Sequence, residues 1–191
     1  KPEGFVCATE DKHEKTVMDL LGDDIKRKDI FPAGRLDKDT TGMVLITNDG
    51  TLSHRILSPK KHIPKYYIVK LAESFQEDYV RQFAEGIIID GGEKCLPSKV
   101  KRFPDCEKTA FIELHEGKYH QIKRMFSAVE NSVEKLCRIQ MGGLLMPEKL
   151  AIGEYMEIMH KDVENLLKSQ CFEEVFRNIT ENFSSYWINM Q

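Results

Sequence analysis

The chain has 191 residues, 41% hydrophobic and 31% charged. That balance suits one large globular domain, or one domain with an appendage, and it is long enough to bury a core without disulfides or metals. No stretch approaches the roughly 18 uninterrupted apolar residues of a membrane span, and no apolar signal-peptide core follows Lys1-Pro2-Glu3-Gly4.

Five scattered cysteines, odd in number and without Cys-x-x-Cys spacing, argue against a disulfide framework or zinc site and for a reducing cytoplasm. The net charge of −3 disfavours nucleic acid only on its face. Residues 148–191 hold eight acidic and four basic side chains, net −4, which leaves +1 on residues 1–147 and room for a basic groove.

In chain order, residues 12–21 read as a short helix ended by Gly22. Met43-Val44-Leu45-Ile46, a continuous apolar run between turn residues, predicts a buried strand. Residues 51–57 fit a helical turn, and residues 66–71 are rich in β-formers. Residues 76–85 form a helix closed by Gly86. Strands are expected at 98–103 and 109–115, with Pro104-Asp105 between them. Residues 120–129 predict an amphipathic helix, since Ile122, Met125, Phe126 and Val129 recur at i, i+3, i+4 and i+7. A strand at 133–141 is broken by Gly142-Gly143, and a last strand is expected at 154–159. Residues 160–183 read as helical, with 184–191 a frayed tail. Strands and helices mix without a β-α-β rhythm. The class is therefore α+β, with a mixed, mostly antiparallel sheet flanked by helices. Residues 1–160 are expected to be the main domain and 161–191 an acidic helical appendage.

The densest motif is Gly34-Arg35-Leu36-Asp37-Lys38-Asp39-Thr40-Thr41-Gly42, followed by Thr47-Asn48-Asp49-Gly50. Asp37, Asp39, Thr41 and Gly42 sit at positions 1, 3, 5 and 6 of a calcium loop, but position 12 is Asn48 where a bidentate Glu is needed. Asp37-Lys38-Asp39 also resembles the motif of haloacid-dehalogenase phosphotransferases. There an apolar strand should precede the first Asp, whereas here it follows. Closing a turn is the plain alternative for either aspartate. It is the preferred reading for Asp39.

With its neighbours, this motif resembles the signature of bacterial ribosomal RNA pseudouridine synthases, above all the family of the small-subunit (16S) rRNA pseudouridine synthase A. The resemblance runs on through Lys1-Pro2-x-Gly4, His54-Arg55-Ile56-Leu57-x-Pro59 and Lys65-Tyr66-Tyr67-Ile68-Val69. It continues in Gly117-Lys118-Tyr119-His120-Gln121-Ile122-Lys123-Arg124, Arg138-Ile139-x-Met141-Gly142-Gly143 and Pro147 to Tyr155, and covers roughly residues 1–160. Several blocks in the right order carry more weight than any one of them. The family usually has a small S4-type RNA-binding domain ahead of the catalytic one. This sequence opens at the Lys-Pro motif, so that module is expected to be absent.

The resemblance implies a pseudouridine synthase fold with a central active-site cleft. It implies isomerisation of a uridine in ribosomal RNA or a ribosomal particle, most simply small-subunit rRNA, by a monomer that needs no cofactor and no metal. Asp37 is then the essential carboxylate, Lys123 the cation that keeps it charged, and Tyr67 the aromatic ring beside the base. Arg35 would fill the space left by the extruded uridine or hold a phosphate. Lys65, His120, Gln121, Arg124 and Leu144 would contact substrate, and Lys60, Lys61 and His62 would contact phosphates. A non-catalytic rRNA-binding or ribosome-assembly module with the same fold is the alternative.

Overall fold

A computed structural model describes residues 1–23, 25, 26, 29–58 and 63–182. Near the N-terminus, the helix expected over 12–21 shrinks to one 3-10 turn, Val17–Leu20. Two competing contacts explain this. The Asp11 carboxylate accepts from the His13 and Glu14 amides at 2.9 and 3.0 Å, a local turn that displaces helix. The Val6 amide then donates to the Lys15 carbonyl (2.8 Å) and the Val17 amide to the Val6 carbonyl (2.9 Å).

Three two-residue strands follow: β1 (Phe31–Pro32), β2 (Thr41–Gly42) and β3 (Ile46–Thr47), with β1 antiparallel to β3. The strand expected at 43–46 is not formed; Ile46 alone of that run enters β3. Met43 and Leu45 join one core cluster while Val44 and Ile46 join another. The run is apolar throughout because it threads between two cores as extended chain.

Helix α1 (Gly50–Leu57) starts where the Asp49 carboxylate accepts from the Leu52 amide at 2.9 Å. Next come β4 (Lys65–Leu71) and α2 (Asp78–Glu85), which Gly86 closes at φ 86°. A hairpin of β5 (Ile88–Ile89) and β6 (Glu93–Lys94), turning through Asp90-Gly91-Gly92, is an element beyond those expected. Then follow β7 (Lys99–Arg102), β8 (Thr109–Leu114), α3 (Gln121–Ala128), β9 (Val133–Met141), β10 (Leu144–Leu145), α4 (His160–Leu166) and α5 (Phe172–Asn182). The strand expected at 154–159 is absent. Tyr155, Met156 and Met159 there are exposed, and among the described residues no strand pairs with them. The single helix expected from 160 is two, broken between Leu166 and Phe172.

The main sheet has the order β10-β9-β4-β8-β7, all antiparallel, with β2 parallel to β9. This is the mixed, mostly antiparallel α+β sheet expected. Along β4, side chains alternate between two cores. Tyr67, Val69 and Leu71 pack with Tyr79 and Phe83 of α2 and with Ile122, Met125 and Phe126 of α3. Tyr66 and Ile68 pack with Phe111, Leu166 of α4, and Phe172, Val175, Phe176 and Ile179 of α5. Both faces of the sheet are covered, so β4 is buried almost throughout. The described part of 161–191 therefore shares the sheet's core. Each of the four α5 side chains gains roughly 1.5–3 kcal/mol by burial. Among the described residues no helix is long and apolar enough to cross a membrane.

Candidate active site

The turn carrying Asp37 is tied down from both ends. The Leu36 amide donates to the Cys7 Sγ at 3.2 Å, and the Leu36 side chain is buried in the core that holds Tyr67 and Ile122. The Thr40 amide closes the turn on the Asp37 carbonyl at 3.0 Å, and the Gly4 amide donates to the Lys38 carbonyl at 2.8 Å. The Lys1 Nζ donates to the carbonyls of Thr40 (2.7 Å) and Lys38 (3.1 Å). The opening Lys-Pro-x-Gly segment is thus a strap over the Asp37 turn. On the far side Gly42 lies against β9 with φ 108°, where a Cβ would sit 2.2 Å from the Arg138 carbonyl oxygen. Only glycine allows this approach.

The carboxylate of Asp37 is 27% exposed and stands between two groups from the start of α3: Lys123 Nζ at 3.5 Å and His120 Nε2 at 3.7 Å. His120 is the left-handed residue that precedes α3 and Lys123 lies in its first turn, so the start of the helix brings both to the same aspartate. Lys123 lies closer still to Asp39, at 2.6 and 2.7 Å from its two carboxylate oxygens. Partial burial pushes the Asp39 pKa up, but the Lys123 hydrogen bond and charge outweigh it, and the carboxyl is held below its ordinary value. Asp39, expected only to close a turn, is therefore a second anchor for Lys123. Tyr67 enters from β4, 9% exposed, in the cluster that also holds Leu36, which precedes Asp37, and Ile122, which precedes Lys123. The core thus links all three segments. Among the described residues no group of three or more His, Cys, Asp or Glu side chains is arranged to hold a metal.

The other candidates divide. Arg35 is exposed, and no described residue bonds its guanidinium. Gln121 is buried and clamps its own loop: its Oε1 accepts from the Lys118 amide (2.9 Å) and its Nε2 donates to Glu116 (2.8 Å). Arg124 bonds the Asp90 carboxylate, the Asp90 carbonyl (2.9 Å) and the Tyr119 carbonyl (3.2 Å), tying the β5–β6 turn to α3. Leu144, half-buried on β10, packs against the Tyr66-side core. Lys60, Lys61 and His62 lie outside the described residues.

Lys65 is buried on the Tyr67 face of β4 and donates to the Ile56 carbonyl at the end of α1 (3.3 Å). Desolvation, then the nearby Arg138, lower its pKa from 10.5 to about 8. Arg138, the cross-strand partner of Tyr67, is also buried; its Nε donates to the Met43 carbonyl (2.9 Å). Below pH 8 the native state carries the Lys65 charge at a cost of up to about 3 kcal/mol. Between pH 8 and the unfolded value near 10.4 the unfolded chain binds more protons, so stability rises with pH there. Lys65→Met should therefore stabilise the protein by about 1–2 kcal/mol at pH 7, after loss of the bond to Ile56. The gain should fade towards pH 10. Urea melts of both proteins at the two pH values check this, and a gain that is constant with pH contradicts it.

The family model for RNA pseudouridylate synthases matches residues 1–128. The chain is 44% identical over 172 residues to an uncharacterised RNA pseudouridine synthase of Bacillus subtilis, covering 89% of this chain and 72% of that one. It is 44% identical over 169 residues to the ribosomal small subunit pseudouridine synthase A of Vibrio vulnificus, covering 88% and 72%. A crystal structure of a pseudouridylate synthase matches with a TM-score of 0.80 at 39% identity, over 87% of this chain and 70% of that one. The chain belongs to the RNA pseudouridylate synthase family. It is an RNA pseudouridine synthase, an isomerase, with the fold that the sequence motifs imply.

Proposed function

We propose that this enzyme converts a uridine of small-subunit ribosomal RNA to pseudouridine, with Asp37 as the catalytic carboxylate. The observation that carries the site assignment is the Asp37 carboxylate, part exposed, between Lys123 at 3.5 Å and His120 at 3.7 Å. The target is supported by the relatives named for small-subunit rRNA.

In the reaction the uracil N1–C1′ bond breaks, the base turns, a C5–C1′ bond forms, C5 loses its proton and N1 takes one up. Atoms are conserved and nothing is oxidised. Attack on the ribose, attack on the uracil ring and assistance to glycal formation all use the same ionised carboxylate. A positioned aspartate side chain supplies it as nucleophile or base. Lys123 keeps that carboxylate charged when the base excludes water. Tyr67 offers a ring and a phenol beneath the base. Arg35, exposed next to Asp37, takes the space the extruded uridine leaves, and extrusion costs a few kcal/mol. The five free cysteines fit a reducing cytoplasm.

The test is incubation of the purified protein with small-subunit particles and rRNA transcripts, then mapping of pseudouridine by chemical labelling. One new position in small-subunit rRNA is expected; product confined to large-subunit rRNA would overturn the target. Lys123→Ala should lower single-turnover kcat by about 10²–10³-fold. Its thermal midpoint should barely move, because part-exposed ion pairs contribute roughly 0–1 kcal/mol. An unfolded variant, or one with full turnover, would contradict the assignment.

A further inference from the structure

Tyr119 is a large aromatic side chain left 75% exposed at the mouth of the site. Its ring stacks on the His120 imidazole, with centroids 3.8 Å apart and planes 18° from parallel. The Nε2 of that imidazole is 3.7 Å from the Asp37 carboxylate. One face of Tyr119 is therefore covered by His120, the side chain whose edge faces the Asp37 carboxylate.

The platform is held rigid. His120 keeps a left-handed backbone, φ 48°, a conformation that is uncommon away from glycine. Arg124 holds the Tyr119 carbonyl (3.2 Å) while it bonds Asp90, and Lys118 bonds Glu93 (2.6 Å). Gln121 bridges the Lys118 amide and Glu116. Three side chains that the family resemblance would assign to substrate or leave unassigned are thus spent fixing residues 116–121 to the β5–β6 hairpin. What this scaffold presents outward is the Tyr119 ring. Exposing so much aromatic surface gains nothing for folding.

We propose that Tyr119 is the stacking platform for the unpaired base next to the target uridine. The neighbour is recognised by its π-face rather than by its edge. This deepens the reading of the protein as an rRNA pseudouridine synthase and rests on it. When the uridine is drawn towards Asp37, the adjacent base loses its stacking partner. A preordered aromatic ring stacked on His120, beside the carboxylate's neighbour, replaces that partner. Stacking of a base on an aromatic side chain tolerates any base and contributes about 1–3 kcal/mol, a factor of roughly 10–100 in affinity. Tyr119 in this view is a positioning residue: it acts on how the RNA sits and takes no part in bond making.

The experiment uses an rRNA fragment carrying the uridine mapped above, with 2-aminopurine in turn at the positions on its 5′ and 3′ sides. In the wild type, binding should quench the fluorophore at one of these positions. Tyr119→Phe should keep the quenching and stay within about twofold of wild type in Kd and kcat. Tyr119→Ala and Tyr119→Leu should lose the quenching and raise Kd and KM about 10–100-fold, with kcat at saturating RNA within about threefold of wild type. The proposal is overturned if Ala leaves quenching and Kd unchanged, if Phe is as damaged as Ala, or if Ala lowers kcat at unchanged KM. A wild-type protein that forms no pseudouridine in any ribosomal RNA overturns the functional reading itself. Normal wild-type turnover with an indifferent Tyr119 overturns only this inference.

Discussion

Replacing Asp37 with asparagine is expected to cut single-turnover pseudouridine formation by about 10⁴-fold or more, the scale of losing a group on which the chemistry depends. The fold should survive the change. The turn is held through the backbone, by the Thr40 amide on the Asp37 carbonyl at 3.0 Å and the Leu36 amide on Cys7 at 3.2 Å, and asparagine leaves both in place. Lys123 also keeps a carboxylate partner, because Asp39 lies 2.6 Å away. A thermal midpoint within a few degrees of wild type is therefore expected alongside the lost turnover. Activity within tenfold of wild type would remove Asp37 from the mechanism.

The second large effect is structural. Gly42→Ala would put a Cβ 2.2 Å from the Arg138 carbonyl oxygen and 2.6 Å from its amide nitrogen, at a backbone φ of 108°. The obstacle is main chain of β9, so no side chain can turn aside. Relief requires breaking the β2–β9 pairing and the bond from the Met43 amide to Arg138 (2.8 Å). The expected cost is at least about 4 kcal/mol, a large part of the roughly 5–15 kcal/mol that holds an ordinary domain together. A urea titration should show an early or absent transition. Any folded remnant should also be inactive, because the Asp37 turn hangs from this contact. A loss below about 1 kcal/mol would mean that β2 does not sit against β9 as described.

Much of the fold was readable because its signals are local. The strands at 66–71, 98–103, 109–115 and 133–141, and the apolar stripe of α3, recur in the structure with shifts of a few residues. Tyr66 and Tyr67, adjacent in a strand, point to opposite faces and enter different cores. The failures share a cause. Composition does not say what lies beside a segment: residues 154–159 have no described strand to pair with, and residues 43–46 bond β9 through the Met43 amide and β1 at Ile46 rather than pairing along one strand. The α4–α5 break is invisible for a similar reason. Both halves are amphipathic, and the turn between them lets Leu166 and Phe172 bury in the same core.

The site divides in the same way. The motif blocks, through their resemblance to a known family, were enough to class the chain as an RNA pseudouridine synthase and to nominate Asp37, Tyr67 and Lys123 as candidate site residues. The chain's own pattern was silent about Asp39 as the nearer partner of Lys123, 84 residues away, about Lys1 as a strap on the Asp37 turn and about Arg124 as a brace for Tyr119. Hydrogen bonds and ion pairs act over a few ångströms. Which distant side chains come that close is set by how the sheet and its two helical layers pack, not by any short stretch of residues.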